Sequence, residues 1–127
     1  MLAGMFKEKT QTRRILVVDD EPDVVRIVSK RLVLDGYEVI TANNGLDCIA
    51  KAENERPDII LLDSVMPNMD GQGVLSKLKA LRKTKNIPVI MVTALAGEDG
   101  IANAEKGGAA AYVIKPFDYD ILLEKTK

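Results

Sequence analysis

Residues 57–71 read Pro-Asp-Ile-Ile-Leu-Leu-Asp-Ser-Val-Met-Pro-Asn-Met-Asp-Gly, and this stretch decides the fold. Its centre is the continuous apolar run Ile59–Leu62, which stops at Asp63. A short apolar run bounded by turn residues is typical of a strand that is covered on both faces, as in parallel sheets. The stretch therefore predicts a buried strand that ends on a carboxylate.

Similar short runs lie on both sides of this one. They are Ile15–Val18, Val39–Thr41, Val89–Val92 and Ala111–Ile114. The run at Val39–Thr41 is flanked by polar residues such as Glu38, and this mixed pattern favours an edge strand.

Helical patterns separate the five runs. The first has apolar residues at helical spacing, interrupted by Arg31, with Pro22 near its start and Gly36 past its end. The predicted stripes are Val24, Ile27, Val28 and Leu32; Leu46, Ile49 and Ala50; Val74, Leu75, Leu78 and Leu81; a weak segment at 98–106; and a last helix from Asp118. Five strands alternating with five helices predict an α/β fold with a doubly wound parallel sheet.

Composition restricts the chemistry that this chain can perform. The 127 residues include 18 Lys and Arg, 19 Asp and Glu, one Cys and no His, with a formal charge of −1. With a net charge this close to zero, the chain has no overall electrostatic attraction for nucleic acid or an anionic membrane. The absence of histidine excludes Ser-His-Asp triads, imidazole zinc sites and a histidine phosphodonor in this chain.

Length and cysteine usage predict one cytoplasmic domain. We expect residues 1–12 to form a disordered leader and residues 13–127 to form the domain. No run resembles a signal peptide or approaches the ~20 residues of a membrane-spanning helix. The single Cys48 cannot form an internal disulfide, which favours a reducing compartment, and we expect it to be a small core residue.

The ends of the predicted strands carry the polar residues of interest: Asp19, Asp20, Asp63, Thr93 and Lys115. Each of these residues alone is commonly a turn, cap or solvated loop residue. In a doubly wound sheet, however, the carboxyl ends of the strands meet at one crevice, where ligands bind. Three crowded carboxylates repel one another, and a hard divalent cation such as Mg²⁺ would neutralise them.

Four stretches of the sequence resemble the receiver domains of bacterial two-component response regulators, a family that includes chemotaxis regulators. They are residues 15–22, residues 57–71, Ile87–Ala94 and Tyr112–Phe117, in the family order. The run from Asp63 to Gly71 is the most specific of them. The resemblance implies a five-stranded, flavodoxin-like sheet with strand order 2-1-3-4-5.

The resemblance also implies a phosphorylation site and a metal site. Asp63 would be the phosphoacceptor. Asp20, Asp63 and the backbone carbonyl of Val65 would bind Mg²⁺, or Mn²⁺ in its place, while Asp19 would act through a water molecule. Lys115 and Thr93 would contact the phosphoryl oxygens.

By the same resemblance, Thr93 and Tyr112 would switch the surface formed by the fourth helix, the fifth strand and the fifth helix. The phosphoryl donor would be a phosphohistidine on a sensor histidine kinase or a histidine phosphotransfer protein. The downstream target stays unidentified, with no nucleic-acid or membrane partner expected. We expect a monomer or a weak, phosphorylation-dependent dimer.

Two further functions compete with this interpretation. One is a phosphate-independent interaction domain of the same fold, and the other is a phosphohydrolase that forms an aspartyl phosphate. A phosphohydrolase of this kind would need an acidic residue two positions after Asp63, where the chain has Val65. It would also need a segment that covers the substrate. Val65 and Leu95 offer no polar group to orient an attacking water, which predicts slow self-dephosphorylation.

Overall fold

The predicted strands form in the computed structural model, which describes residues 13–63, 71–93 and 108–114, apart from the side chains of Thr93, Tyr112 and Ile114. The elements in chain order are β1 (Arg14–Val18), α1 (Pro22–Leu34), β2 (Glu38–Ala42), α2 (Gly45–Glu55), β3 (Ile59–Asp63), α3 (Gly71–Ala80), β4 (Val89–Thr93) and β5 (Ala111–Ile114). All five residues of β3 are buried, as its continuous apolar run predicts.

The five strands form one parallel sheet in the order β2-β1-β3-β4-β5. This order confirms the doubly wound, flavodoxin-like fold, and β2 is an edge strand as expected. Val18 lies beside Leu62, and Asp63 lies beside Val92. The carboxyl ends of β1, β3 and β4 therefore meet at the same edge of the sheet.

Alternating side chains of the strands fill two cores, one on each face of the sheet. On one face, α1 buries Val28 and Leu32 against Ile15, Ile59 and Leu61. On the other face, α2 and α3 pack against the alternate strand residues. Their buried side chains are Cys48, Ala52, Val74, Leu75 and Leu78.

The predicted stripes of α1 and α2 are partly wrong. Ile27 is 62% exposed, Leu46 is 70% exposed, and Ala50 is also exposed. α2 instead turns Cys48 and Ala52, four residues apart, toward the sheet. Small side chains let a helix approach a sheet closely, so the buried face is set by docking as well as by apolarity.

The helix ends follow the predicted signals. Pro22 lies in the first turn of α1, where its missing N–H is tolerated. Gly36, just past the end of α1, has φ +95°, a conformation that glycine adopts without a steric penalty. Asn44 caps α2, since its side-chain oxygen accepts the N–H of Asp47 at 2.8 Å.

Several expectations fall on parts of the chain outside the described residues. These are the leader at 1–12, the weak fourth helix at 98–106 and the last helix from Asp118. Among the helices of the described residues, none has both the length and the apolar character needed to cross a membrane.

Candidate functional site

Two buried aspartates lie at the carboxyl ends of neighbouring strands. Val18 and Leu62 are register partners, so Asp19, which directly follows β1, and Asp63, which ends β3, come next to each other along the edge of the sheet. Adjacent strands lie only about 4.8 Å apart. Each of these two aspartates is only 4% exposed. Asp residues are almost never buried this completely without paired groups or a metal ion.

The loop between β1 and α1 brings more acidic groups to the same place. Carboxylate oxygens of Asp19, Asp20 and Glu21 lie within 4.8 Å of one another. Asp19 Oδ1 accepts the N–H of Glu21 at 3.0 Å, and the Asp19 N–H donates to the Ala42 carbonyl at 3.3 Å. These hydrogen bonds fix the loop, so the acidic groups are positioned before any ligand arrives.

Glu21 was missed by the sequence analysis, although it directly follows Asp19 and Asp20. Its exposure and its position before Pro22 are typical of a residue that begins a helix, so the sequence alone gave no reason to add it to the site.

The chemistry of these side chains fits a magnesium ion, although the carboxylate cluster of the loop holds Asp19, Asp20 and Glu21 and does not include Asp63 of the neighbouring strand. Mg²⁺ prefers hard oxygen ligands and usually takes one or two carboxylates together with water molecules. Asp19, Asp20 and Asp63 supply such oxygens. Of the predicted ligands, the backbone carbonyl of Val65 lies outside the described residues.

The other predicted site residues are placed only by the backbone. Thr93 ends β4, one residue beyond Val92, which is the partner of Asp63, and Thr93 itself pairs with Ile114. It therefore lies at the same edge of the sheet as the aspartates. Tyr112 is in β5, beside Met91. Lys115 and Leu95 lie outside the described residues.

An open depression of about 280 Å³ extends from the acidic loop toward α2. Its walls come from the start of α1, the end of β2 and the first turns of α2. They comprise Asp19, Asp20, Pro22, Val25, Thr41, Ala42, Asn43, Asp47 and Lys51. The sequence analysis did not single out Asp47 and Lys51, which contact each other here at 3.2 Å.

The response regulator receiver domain family matches residues 15–127. The probable transcriptional regulator ycf27 of Pyropia yezoensis is 47% identical over 111 residues, which is 86% of this chain and 44% of that protein. The response regulator PleD of Caulobacter vibrioides is 44% identical over 110 residues, 87% of this chain and 24% of PleD. The chain thus spans less than half the length of these curated relatives.

Solved structures give the same result. A CheY-like receiver domain protein from Methanospirillum hungatei superposes with a TM-score of 0.85 at 35% identity, covering 91% of each chain. The chemotaxis protein CheY4 of Vibrio cholerae superposes with a TM-score of 0.86 at 31% identity, covering 91% of this chain and 96% of that one. Sheet order, acidic strand ends and the extent of the family match agree, and the chain belongs to the response regulator receiver domains, which are signalling domains.

Proposed function

We propose that this domain is a phosphorylation-controlled switch in which Asp63 accepts a phosphoryl group from a phosphohistidine. The donor would be a sensor histidine kinase or a histidine phosphotransfer protein in the cytoplasm. The observation that carries the proposal is the burial of Asp63 beside Asp19, next to the acidic loop.

The transfer exchanges one phosphorus bond for another. A carboxylate oxygen of Asp63 forms a bond to phosphorus while the bond between phosphorus and the donor imidazole nitrogen breaks. The imidazole keeps the electron pair and takes up a proton from solvent. The product is an acyl phosphate on Asp63, and the histidine must come from another protein because this chain has none.

The other residues at the strand ends would bind the metal ion and the phosphoryl oxygens. Asp20 and Asp63 would hold Mg²⁺ directly, and Asp19 would hold it through water. When bound, this ion supplies positive charge that offsets the charge of the phosphoryl oxygens. Thr93 and Lys115 would donate hydrogen bonds to those oxygens, since Thr93 ends β4 and Lys115 comes directly after β5 in the sequence.

Phosphorylation would then alter the surface on the β5 side of the sheet. The phosphoryl group adds about −1.5 to −2 charges and three acceptor oxygens beside Asp63. Thr93 pairs with β5, and a response of its side chain would be transmitted to Tyr112 on that strand. The result would be a shift between two conformations that changes affinity for a downstream partner.

Mass spectrometry of the intact protein tests this proposal. Incubation with Mg²⁺ and a small acyl phosphodonor should add one phosphoryl group to the wild-type chain and none to Asp63→Asn. The matched control is Asp58→Asn, at the opposite end of the same strand. The Asp58 carboxylate accepts the Arg14 N–H at 2.8 Å, and an amide oxygen can accept the same bond.

A wild-type chain that gains no phosphoryl group, even with an active histidine kinase, would refute the proposal. The same fold would then be assigned to phosphate-independent protein interaction. Addition to Asp58→Asn but not to Asp63→Asn would locate the acceptor at the carboxyl end of β3. Rapid loss of the group from purified protein would contradict the slow dephosphorylation expected from Val65 and Leu95.

A further inference from the structure

Lys51 is the one basic side chain among the described residues that line the acidic depression. Its ammonium group donates to the Thr41 carbonyl at 2.5 Å and forms an ion pair with Asp47 Oδ2 at 3.2 Å. Two partners hold it in place although its side chain is 38% exposed. A lysine on α2 thus has a fixed position at the edge of the acidic site.

The partner carbonyl lies on the open edge of the sheet. Glu38 and Ala42 direct their backbone groups toward β1, since the Glu38 N–H donates to Arg13 and the Ala42 carbonyl accepts from Asp19. Successive residues of a strand point their backbone groups to opposite sides, so the Thr41 carbonyl points away from β1. Lys51 therefore caps an edge carbonyl and links the end of β2 to α2.

The Lys51 contact offsets one of the three negative charges around the depression. Asp19, Asp20 and Asp47 contribute three negative charges, and Lys51 contributes one positive charge, so the formal net charge of the lining is −2. Asp47 itself is anchored, because its N–H donates to the Asn44 cap. A divalent cation at Asp20 would experience both charges of the Asp47–Lys51 pair.

We propose that Asp47 and Lys51 form a charge-balancing pair whose two members shift the affinity of this receiver domain for Mg²⁺ in opposite directions. The inference rests on the proposed function, which places the ion at Asp20 and Asp63. Lys51 lowers the affinity by repelling the cation, and Asp47 raises it. Because the two effects offset each other, the affinity should change only when one charge is lost without the other.

Three variants separate the two charges. Lys51→Met removes the positive charge with a side chain of similar length, and Asp47→Asn removes the negative charge while keeping the shape. The double variant removes both and restores a formal net charge of −2. The readout is the Mg²⁺ dissociation constant from calorimetric titration of the metal-free protein at low ionic strength.

We expect Lys51→Met to bind Mg²⁺ about threefold to tenfold more tightly and Asp47→Asn to bind it more weakly by a similar factor, as partly screened charges near a divalent ion should. The dissociation constant of the double variant should be close to that of the wild type. Lys51→Arg, which keeps the positive charge, should also give the wild-type value. These differences should shrink at high salt, since the pair lies at an exposed rim.

A purely structural role for Lys51 gives the opposite pattern. If only the loss of the Thr41 cap mattered, Lys51→Met would bind Mg²⁺ more weakly than the wild type or equally well. The further removal of Asp47 would then not restore wild-type binding. Either weaker or unchanged binding by Lys51→Met would overturn the inference. Lys77→Met, which removes an exposed cation in the last turn of α3, should leave the dissociation constant unchanged.

The wild-type titration separates the two proposals. Absence of Mg²⁺ binding, or binding that survives Asp20→Asn, would refute the metal site of the proposed function and the inference with it. Binding that depends on Asp20 but is insensitive to Lys51→Met would refute the charge-balancing pair alone. Urea unfolding of each variant checks that the fold is retained.

Discussion

Asp19 contributes to both the fold and the site. Its carboxylate accepts the Glu21 N–H, which shapes the start of α1, and its N–H donates to Ala42, which joins the loop to β2. The same carboxylate is 4% exposed beside Asp63. An asparagine could make these hydrogen bonds, so they do not by themselves require the negative charge of Asp19.

Cys48 is a core residue rather than a reactive one, as the sequence analysis expected. Its side chain is completely buried on α2. Burial, followed by the negative charge of Asp47, raises the pKa of the Cys48 thiol from 9.0 to about 12. The thiol is therefore protonated at neutral pH and is not a metal ligand or nucleophile.

This raised pKa predicts a pH dependence of stability. Between pH 9 and about 12 the folded chain keeps the thiol proton that the unfolded chain has lost. The contribution of this group is therefore complete below pH 9 and is lost as pH rises through that window. Urea unfolding should show wild-type stability falling more steeply than that of Cys48→Ala, by up to about 1.4 kcal/mol per pH unit. Parallel pH profiles above pH 9 would contradict this.

At the level of elements, side-chain hydrogen bonds to backbone carbonyls hold the connection from α3 to β4 in place. Thr84, which is fully buried, donates its hydroxyl to the Leu78 carbonyl at 2.5 Å. Lys79 donates from Nζ to the Ile87 carbonyl at 2.9 Å, and burial lowers the pKa of Lys79. Both contacts satisfy carbonyl groups near the end of α3 or in the loop that follows it, and that loop leads directly into β4.

Thr84→Val tests the contribution of the Thr84–Leu78 hydrogen bond to stability. The substitution keeps the shape but removes the hydroxyl donor, leaving the Leu78 carbonyl without this bond. We expect the free energy of unfolding to fall by about 1–2 kcal/mol, as for other buried hydrogen bonds. Thr84→Ser, which keeps the hydroxyl, should recover most of that loss in the same urea experiment. Equal losses in the two variants would show that methyl packing, not the hydrogen bond, is what matters.

The elements also show where local sequence patterns succeed and fail. The run Ile59–Leu62 followed by Asp63 was predicted correctly as a buried strand, because a strand covered on both faces has an unambiguous apolar pattern. Ile27 and Leu46 were predicted to be buried and are exposed. Apolar spacing finds an amphipathic helix, but the rotation of the helix against the sheet depends on the side chains it meets.

At the level of the whole molecule, the proposed metal site predicts a link between folding and cation binding. Asp19, which follows β1, and Asp63, which ends β3, are both buried at the carboxyl end of the sheet, and carboxylates close together in such a setting repel each other. Binding of Mg²⁺ to the folded chain alone would remove this repulsion and stabilise the fold through linkage. We therefore expect global stability and metal binding to be coupled.

Asp19→Asn tests this coupling. In metal-free buffer the variant should be more stable than the wild type, by about 1 kcal/mol, because one of two neighbouring buried charges is gone. The wild type should gain about 2.7 kcal/mol when Mg²⁺ is present at 100 times its dissociation constant, and a chelator should reverse the gain. The variant should gain much less. Urea unfolding with and without Mg²⁺ measures both effects.

Asp58→Asn is the control, since it changes an exposed carboxylate at the other end of β3. It should show the wild-type response to Mg²⁺. A metal-free Asp19→Asn chain that is less stable than the wild type and still responds fully to Mg²⁺ would contradict the coupling.

The sequence by itself determined the parallel sheet, its edge strand and the aspartates at the ends of β1 and β3. These features follow from short-range patterns, namely apolar runs and the polar residues that end them. The tertiary structure alone decided that Cys48 and Ala52 face the core and that Lys51 reaches Thr41 and Asp47. The reason is physical: these contacts depend on how each helix docks on the sheet, and docking is determined by the packing of all the elements together.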